Sequence, residues 1–117
     1  MQELSLIDWA ALEAQLASVL TQAEFDPRTI DNTRDLMTIC RVQCAAPSGI
    51  AKGYWATIRL SWPKLEVEVF PDSFELYRFH DKSTDIEEFF RQPGEPIPEA
   101  LTDQLPRLAE EMANDSN

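Results

Sequence analysis

Glycine is scarce in this chain, with three residues in 117, and cysteine is scarcer still, with two. Each shortage excludes something. A phosphate-cradling loop or dinucleotide fingerprint needs clustered glycines whose amides can approach the ligand closely. Gly49, Gly53 and Gly94 are dispersed and read as turn residues. Cys40 and Cys44 lie four apart, which closes too short a loop to staple a fold and does not resemble a secreted disulfide framework. His80 is the only histidine, too few to complete a zinc site of about four ligands with one cysteine pair. No apolar run approaches the roughly 20 residues that cross a bilayer. Met1-Gln2-Glu3-Leu4 lacks the basic start and apolar stretch of a signal peptide. The expectation is one cytoplasmic domain spanning 1–117, fraying at 114–117, with no metal, no cofactor and no membrane association.

Bases are the other shortage. Ten Lys and Arg face 21 Asp and Glu, for a net charge of −11. Residues 1–65 hold 7 acids and 6 bases (−1), whereas residues 66–117 hold 14 acids and 4 bases (−10). A field of that sign repels nucleic acid and anionic membrane, so no direct nucleic-acid binding is expected, and it speeds encounter with a basic partner. Acidity of this kind also simply keeps small domains soluble. At 44% hydrophobic residues the chain can still bury a core, which excludes wholesale disorder.

The first segment reads as a helix. Ser5 stands where an N-cap would, Asp8 follows in the capping-box position, and Leu4 is placed to staple onto Trp9. Leu6, Trp9, Leu12, Leu16, Val19 and Leu20 recur at helical spacing, and the helix should end before Phe25-Asp26-Pro27. Residues 33–46 fit either helix or strand. Leu36, Ile39, Cys40 and Cys44 share a helical face, with Asn32 as cap, while Leu36, Thr38, Cys40 and Val42 would line one side of a strand. Helix is the reading adopted.

Aromatic and β-branched residues then concentrate in three runs, Tyr54–Trp62, Leu65–Phe70 and Phe74–Phe79, broken by Trp62-Pro63-Lys64 and Pro71-Asp72-Ser73. They predict a three-stranded antiparallel meander over about 54–79. Leu65, Val67 and Val69 alternate with Glu66 and Glu68, the period-two signature of a half-buried strand. Beyond it, Asp81 or Ser83 is expected to start a short helix with Ile86, Phe89 and Phe90 on its apolar face. A final amphipathic helix from Pro98 carries Leu101, Leu105, Leu108 and Met112 and breaks near Leu105, because of Pro106. The predicted class is α+β, the meander packed with an N-terminal helix and C-terminal helices.

Four constellations bear on function. Cys40 and Cys44 read better as small apolar residues on a buried helical face than as metal ligands or a redox pair. His80-Asp81 with a cysteine nucleophile is a trio on paper only, since no oxyanion turn accompanies it. Glu66, Glu68 and Glu75 could run acid–base chemistry if burial separated their pKa values, but alternating glutamates on an open sheet face are more often solvated. The fourth is geometric. With Leu65, Val67 and Val69 inward, the outer face carries Trp55, Phe70 and Tyr77 among Glu66, Glu68 and Glu75, beside Arg59. Large aromatic anchors interleaved with acids suit an interface with a basic protein, unless a helix covers that face. The leading expectation is a non-catalytic acidic protein-binding module, of the kind a bacterial inhibitor, immunity protein or chaperone represents, which occludes a basic partner. The alternative is a small enzyme or ligand-binding domain using His80 and nearby carboxylates. A homodimer is compatible with either.

Overall fold

The computed structural model describes the backbone of residues 2–107 and the side chains of residues 9–107. Two helices, α1 (Gln2–Val19) and α2 (Pro27–Gln43), precede five strands, and a short helix follows them. The strands are β1 (Gly49–Lys52), β2 (Ile58–Trp62), β3 (Leu65–Val69), β4 (Ser73–Phe79) and β5 (Thr84–Phe90); α3 spans Glu99–Thr102. The fold is α+β, with a five-stranded antiparallel sheet in the order β1-β2-β3-β4-β5.

The central three strands lie where the alternation puts them, although the first begins at Ile58 and leaves Tyr54–Thr57 as a loop. Ile58, Leu60, Trp62, Leu65, Val67, Val69, Phe74 and Leu76 are all buried. They form one sheet face, against which Leu12, Leu16 and Val19 of α1 and Leu36, Met37 and Cys40 of α2 complete the core. Pro63 and Lys64 make the β2–β3 turn, with Lys64 at φ 62°. A proline followed by a positive φ is the sign pattern of a type II turn.

Five expectations are corrected. The sheet has five strands and not three, because Gly49–Lys52 and Thr84–Phe90 pair onto its two sides. The second of these replaces the expected helix at 81–90: the His80–Ser83 turn folds the chain back, and Ile86 pairs with Tyr77 across a hairpin. α1 begins at Gln2, so Ser5 lies inside it and is no cap. α2 is a helix that begins at Pro27, where proline suits the first turn; Asp26 caps it by accepting from the Arg28 N–H at 2.9 Å. Within the described residues the final helix is one turn long: Leu101 and Leu105 are buried, but α3 stops at Thr102 and Arg107 forms a bridge with Cys44. There Pro106 O accepts from Ala45 N–H at 2.7 Å, and Ala45 O accepts from the Trp62 indole at 2.9 Å. The side chains of Leu4, Leu6 and Asp8, and the tail with Leu108, Met112 and 114–117, lie outside the described residues.

Asn32, freed from capping, holds α2 to the sheet. Its Nδ2 donates to Phe70 O at 3.0 Å and Pro71 O at 3.1 Å, while its Oδ1 accepts from Arg91 at 2.9 Å. Arg91 also pairs with Asp35 at 2.9 Å and donates to Glu95 O at 2.7 Å. Asn32→Ala leaves two carbonyls and a largely buried guanidinium short of partners, and is expected to cost about 2–3 kcal/mol in urea unfolding. Asp35→Ala removes only a half-exposed partner and should cost less than about 1 kcal/mol.

At the far end of the inner face, Gln104 donates to Glu87 at 3.0 Å and Arg78 pairs with Glu87 at 3.2 Å. The Gln104 hydrogen bond, aided by Arg78, holds the Glu87 carboxyl below its ordinary value of 4.5. A depressed carboxyl contributes stability that is complete above the unfolded-state value and is lost as pH falls through the folded one. Glu87→Gln should therefore flatten the decline in Tm with falling pH below about 4.5, and leave the neutral-to-alkaline limb unchanged.

Candidate functional site: the outer face of the sheet

Because the inner positions are fixed by burial, the intervening residues turn outward in defined rows. Arg59, Glu68, Glu75 and Glu88 occupy successive positions across β2, β3, β4 and β5. Ser61, Glu66, Tyr77 and Ile86 form the next row. Three carboxylates facing one another across neighbouring strands repel, and the arrangement needs compensation.

Compensation comes from hydroxyl donors. The Tyr77 hydroxyl lies 2.6 Å from a Glu75 oxygen and 3.2 Å from Glu68 Oε1, and so bridges the two. Burial, followed by the hydrogen bond with Glu75, raises the Tyr77 pKa, so the phenol stays protonated as a donor. Thr57 Oγ1 donates to Glu68 Oε2, and Arg59 pairs with Glu66. The loop from Gly53 to Thr57 closes over this cluster: Gly53 N–H donates to Thr57 O at 2.9 Å, and the Arg59 guanidinium stacks 5.2 Å from the Tyr54 ring centroid. A side chain at position 53 would run into Thr57 Oγ1 and the Glu68 carboxylate, so glycine is required there. Glu68 is consequently only 2% exposed.

That burial changes what the glutamates can do. Glu68 Oε2 accepts from Thr57, and Oε1 shares the single Tyr77 hydroxyl proton with Glu75, the nearer acceptor; this fixes a loop and leaves Glu68 facing no cleft. Charge reversal at Glu68 would test folding, not association.

The aromatic anchors divide into two patches. Trp55, 72% exposed, and half-buried Phe70 border an open groove with Phe25 and Pro71, flanked by Glu24 and Asp26 of the α1–α2 connection. Tyr77 lies apart from them, stacked on Phe79 with ring centroids 6.5 Å apart and opposite Ile86. Ile86, 61% exposed, extends this second patch to the sheet edge; Phe90, 68% exposed, lies at the same edge two rows away, opposite Ser73 and beyond Glu88. The sequence reading missed both, together with Glu24 and Asp26. The signal available was the run Thr84-Asp85-Ile86-Glu87-Glu88, whose alternation is visible once the segment is taken as a strand.

The other constellations stay separate. Cys40, on α2, and Cys44, the extended residue that caps its C-terminus, are buried free thiols. The hydrogen bond with Cys44 and burial push the Cys40 thiol up, away from a reactive thiolate. His80 is exposed on the β4–β5 turn, with Nε2 2.9 Å from Asp85, not Asp81. The cleft between α1 and α2, bordered by Trp9, Met37 and Arg41, holds about 230 Å³, below the range of ordinary small-molecule sites. Among the described residues, no three His, Cys, Asp or Glu side chains gather as a metal cluster, and no helix is long and apolar enough to cross a membrane.

The clasp yields a direct check. Thr57→Val removes a buried donor from Glu68 and should cost about 2 kcal/mol in thermal or urea unfolding. Gly53→Ala should open the same loop, seen as faster exchange of the position-53 amide, which donates to Thr57 O, than in wild type.

No protein family, no curated protein and no solved structure matches this chain.

Proposed function

We propose that this chain is a non-catalytic protein-binding module whose outer sheet face receives a basic protein, in the manner of an inhibitor, immunity protein or chaperone. The observation that carries this reading is the company its exposed apolar side chains keep. Trp55, Ile86 and Phe90 stand in solvent beside Glu24, Asp26, Glu75 and Glu88. Among the described residues, both long helices contribute their buried side chains to the opposite face. Exposed aromatic and aliphatic groups set among acids provide anchors that desolvate on contact, ringed by charge that steers a partner of opposite sign. The chain's net charge of −11, concentrated in residues 66–117, supplies the long-range field. The same field disfavours nucleic acid.

In this mechanism the carboxylates set the encounter rate and the aromatics set the lifetime of the complex. The test is a pull-down from lysate of the native host at low and high salt, followed by kinetics on the captured protein. One basic protein recovered stoichiometrically and weakened by salt is the expected result; a blank at both salts removes the reading. Against the captured partner, Glu24→Lys with Glu88→Lys should slow association about tenfold and flatten its salt dependence, with dissociation little changed. Trp55→Ala should act on dissociation, at about 2 kcal/mol.

A further inference from the structure

The two sides of the sheet end differently. At β1, the Gln15 side chain of α1 accepts a hydrogen bond from Ile50 N–H at 2.8 Å, so a helix residue already occupies that edge. At β5 no such cover exists among the described residues. His80 N–H donates to Ser83 O at 2.8 Å, and Arg91 N–H donates to Asp72 O at 2.9 Å. These two bonds bracket the β4–β5 ladder. Antiparallel ladders bond at every second residue. Asp85, Glu87 and Phe89 therefore exchange their hydrogen bonds with β4, and the backbone groups of Thr84, Ile86, Glu88 and Phe90 point to the open edge. That edge is seven residues long, longer than β1, and is flanked by Ile86 and Phe90.

We propose that β5 receives an extended, basic segment of the partner as a sixth antiparallel strand, bonded to the backbone of Thr84, Ile86, Glu88 and Phe90. The inference rests on the partner-binding reading above and names the chemistry of the partner. Strand addition takes its affinity from main-chain hydrogen bonds and its selectivity from alternate side chains. On the outer face the incoming strand meets Phe90, Glu88 and Ile86 in turn, which asks for apolar, basic and apolar residues at alternate positions. Its remaining positions face Glu87 and Asp85, which asks for bases.

Charge decides against the other occupants. Two copies of this chain joined antiparallel through these backbone groups would set Glu87 against Glu87 across the two-fold, with a net charge of −11 on each copy. The chain's own residues 108–117 bring Glu110, Glu111 and Asp115 and no base. Acidic side chains on an exposed edge oppose such self-pairing and attract a basic strand.

The probe is the peptide Val-Thr-Lys-Lys-Val-Lys-Thr, acetylated and amidated, added to the full chain while amide exchange is followed by NMR. In the free chain the Ile86 and Glu88 amides should exchange quickly, and peptide should protect them. N-methylation at peptide positions 3 and 5, whose N–H groups face β5, should weaken binding about thirtyfold for two hydrogen bonds lost. The same change at positions 4 and 6 should leave binding intact. Glu88→Pro deletes only an edge-facing N–H and spares the β4 ladder, as edge prolines do; it should weaken peptide binding where Glu88→Gln does so less. Protection of Ile86 and Glu88 in the free chain would overturn the proposal by showing the edge filled by a second copy or by residues 108–117. Salt-sensitive binding that ignores N-methylation and Glu88→Pro would overturn strand addition while leaving the basic-partner reading standing. No binding of peptide, together with a blank pull-down, would remove both.

Discussion

The arrangement depends on a single constraint: the apolar positions of β2, β3 and β4 all fall on one side of the sheet. Ile58, Leu60, Trp62, Leu65, Val67, Val69, Phe74 and Leu76 cannot be shifted by one residue without turning the core into surface. Once that side is fixed, α1 and α2 have one place to bury their own stripes. The register of the strands follows, and with it the row of outward glutamates. The acidic face is thus set by the core behind it as much as by its own chemistry.

The same constraint explains why the glutamate row needs a clasp. Parity forces Glu68 opposite Glu75, and Glu75 opposite Glu88, whatever their mutual repulsion. The chain answers at the crowded end with Thr57, Tyr77 and Arg59 and leaves Glu88, at the sheet edge, in water. Charge is therefore graded across the face. It is hydrogen-bonded and buried towards β2 and open to water towards β5, where the exposed Ile86 and Phe90 also lie.

What could be read in the sequence follows the same gradient. Strands buried on one face announce themselves by alternation, and β2, β3 and β4 were legible for that reason, as were the buried stripe of α1 and the burial of Cys40 and Cys44. β5 is exposed on most of both faces, so burial left no alternation to enforce, and its Asp85, Glu87 and Glu88 imitate the acidic first turn of a helix. β1 is four residues long and begins at Gly49, inside Pro47-Ser48-Gly49, which reads as a turn. Pro27 carried two meanings, the end of one helix and the first turn of the next, and only one was taken. At the candidate site, parity correctly put Arg59, Glu66, Glu68, Glu75 and Tyr77 on one side. The burial of Glu68 was out of reach, because it depends on a loop folding back from position 53 and on a glycine leaving room for it.

The strand order has a kinetic consequence. Every strand's neighbour in the sheet is also its neighbour in the chain, so the sheet can be assembled hairpin by hairpin, each closing a short loop. Short closures sacrifice little chain entropy before contacts form, and low contact order goes with rapid folding. The strap at Cys44 and Arg107 is different, for it joins points more than half the chain apart. Its closure must wait for the sheet and α3 to come together, which makes it a late event in folding and an early one in unfolding.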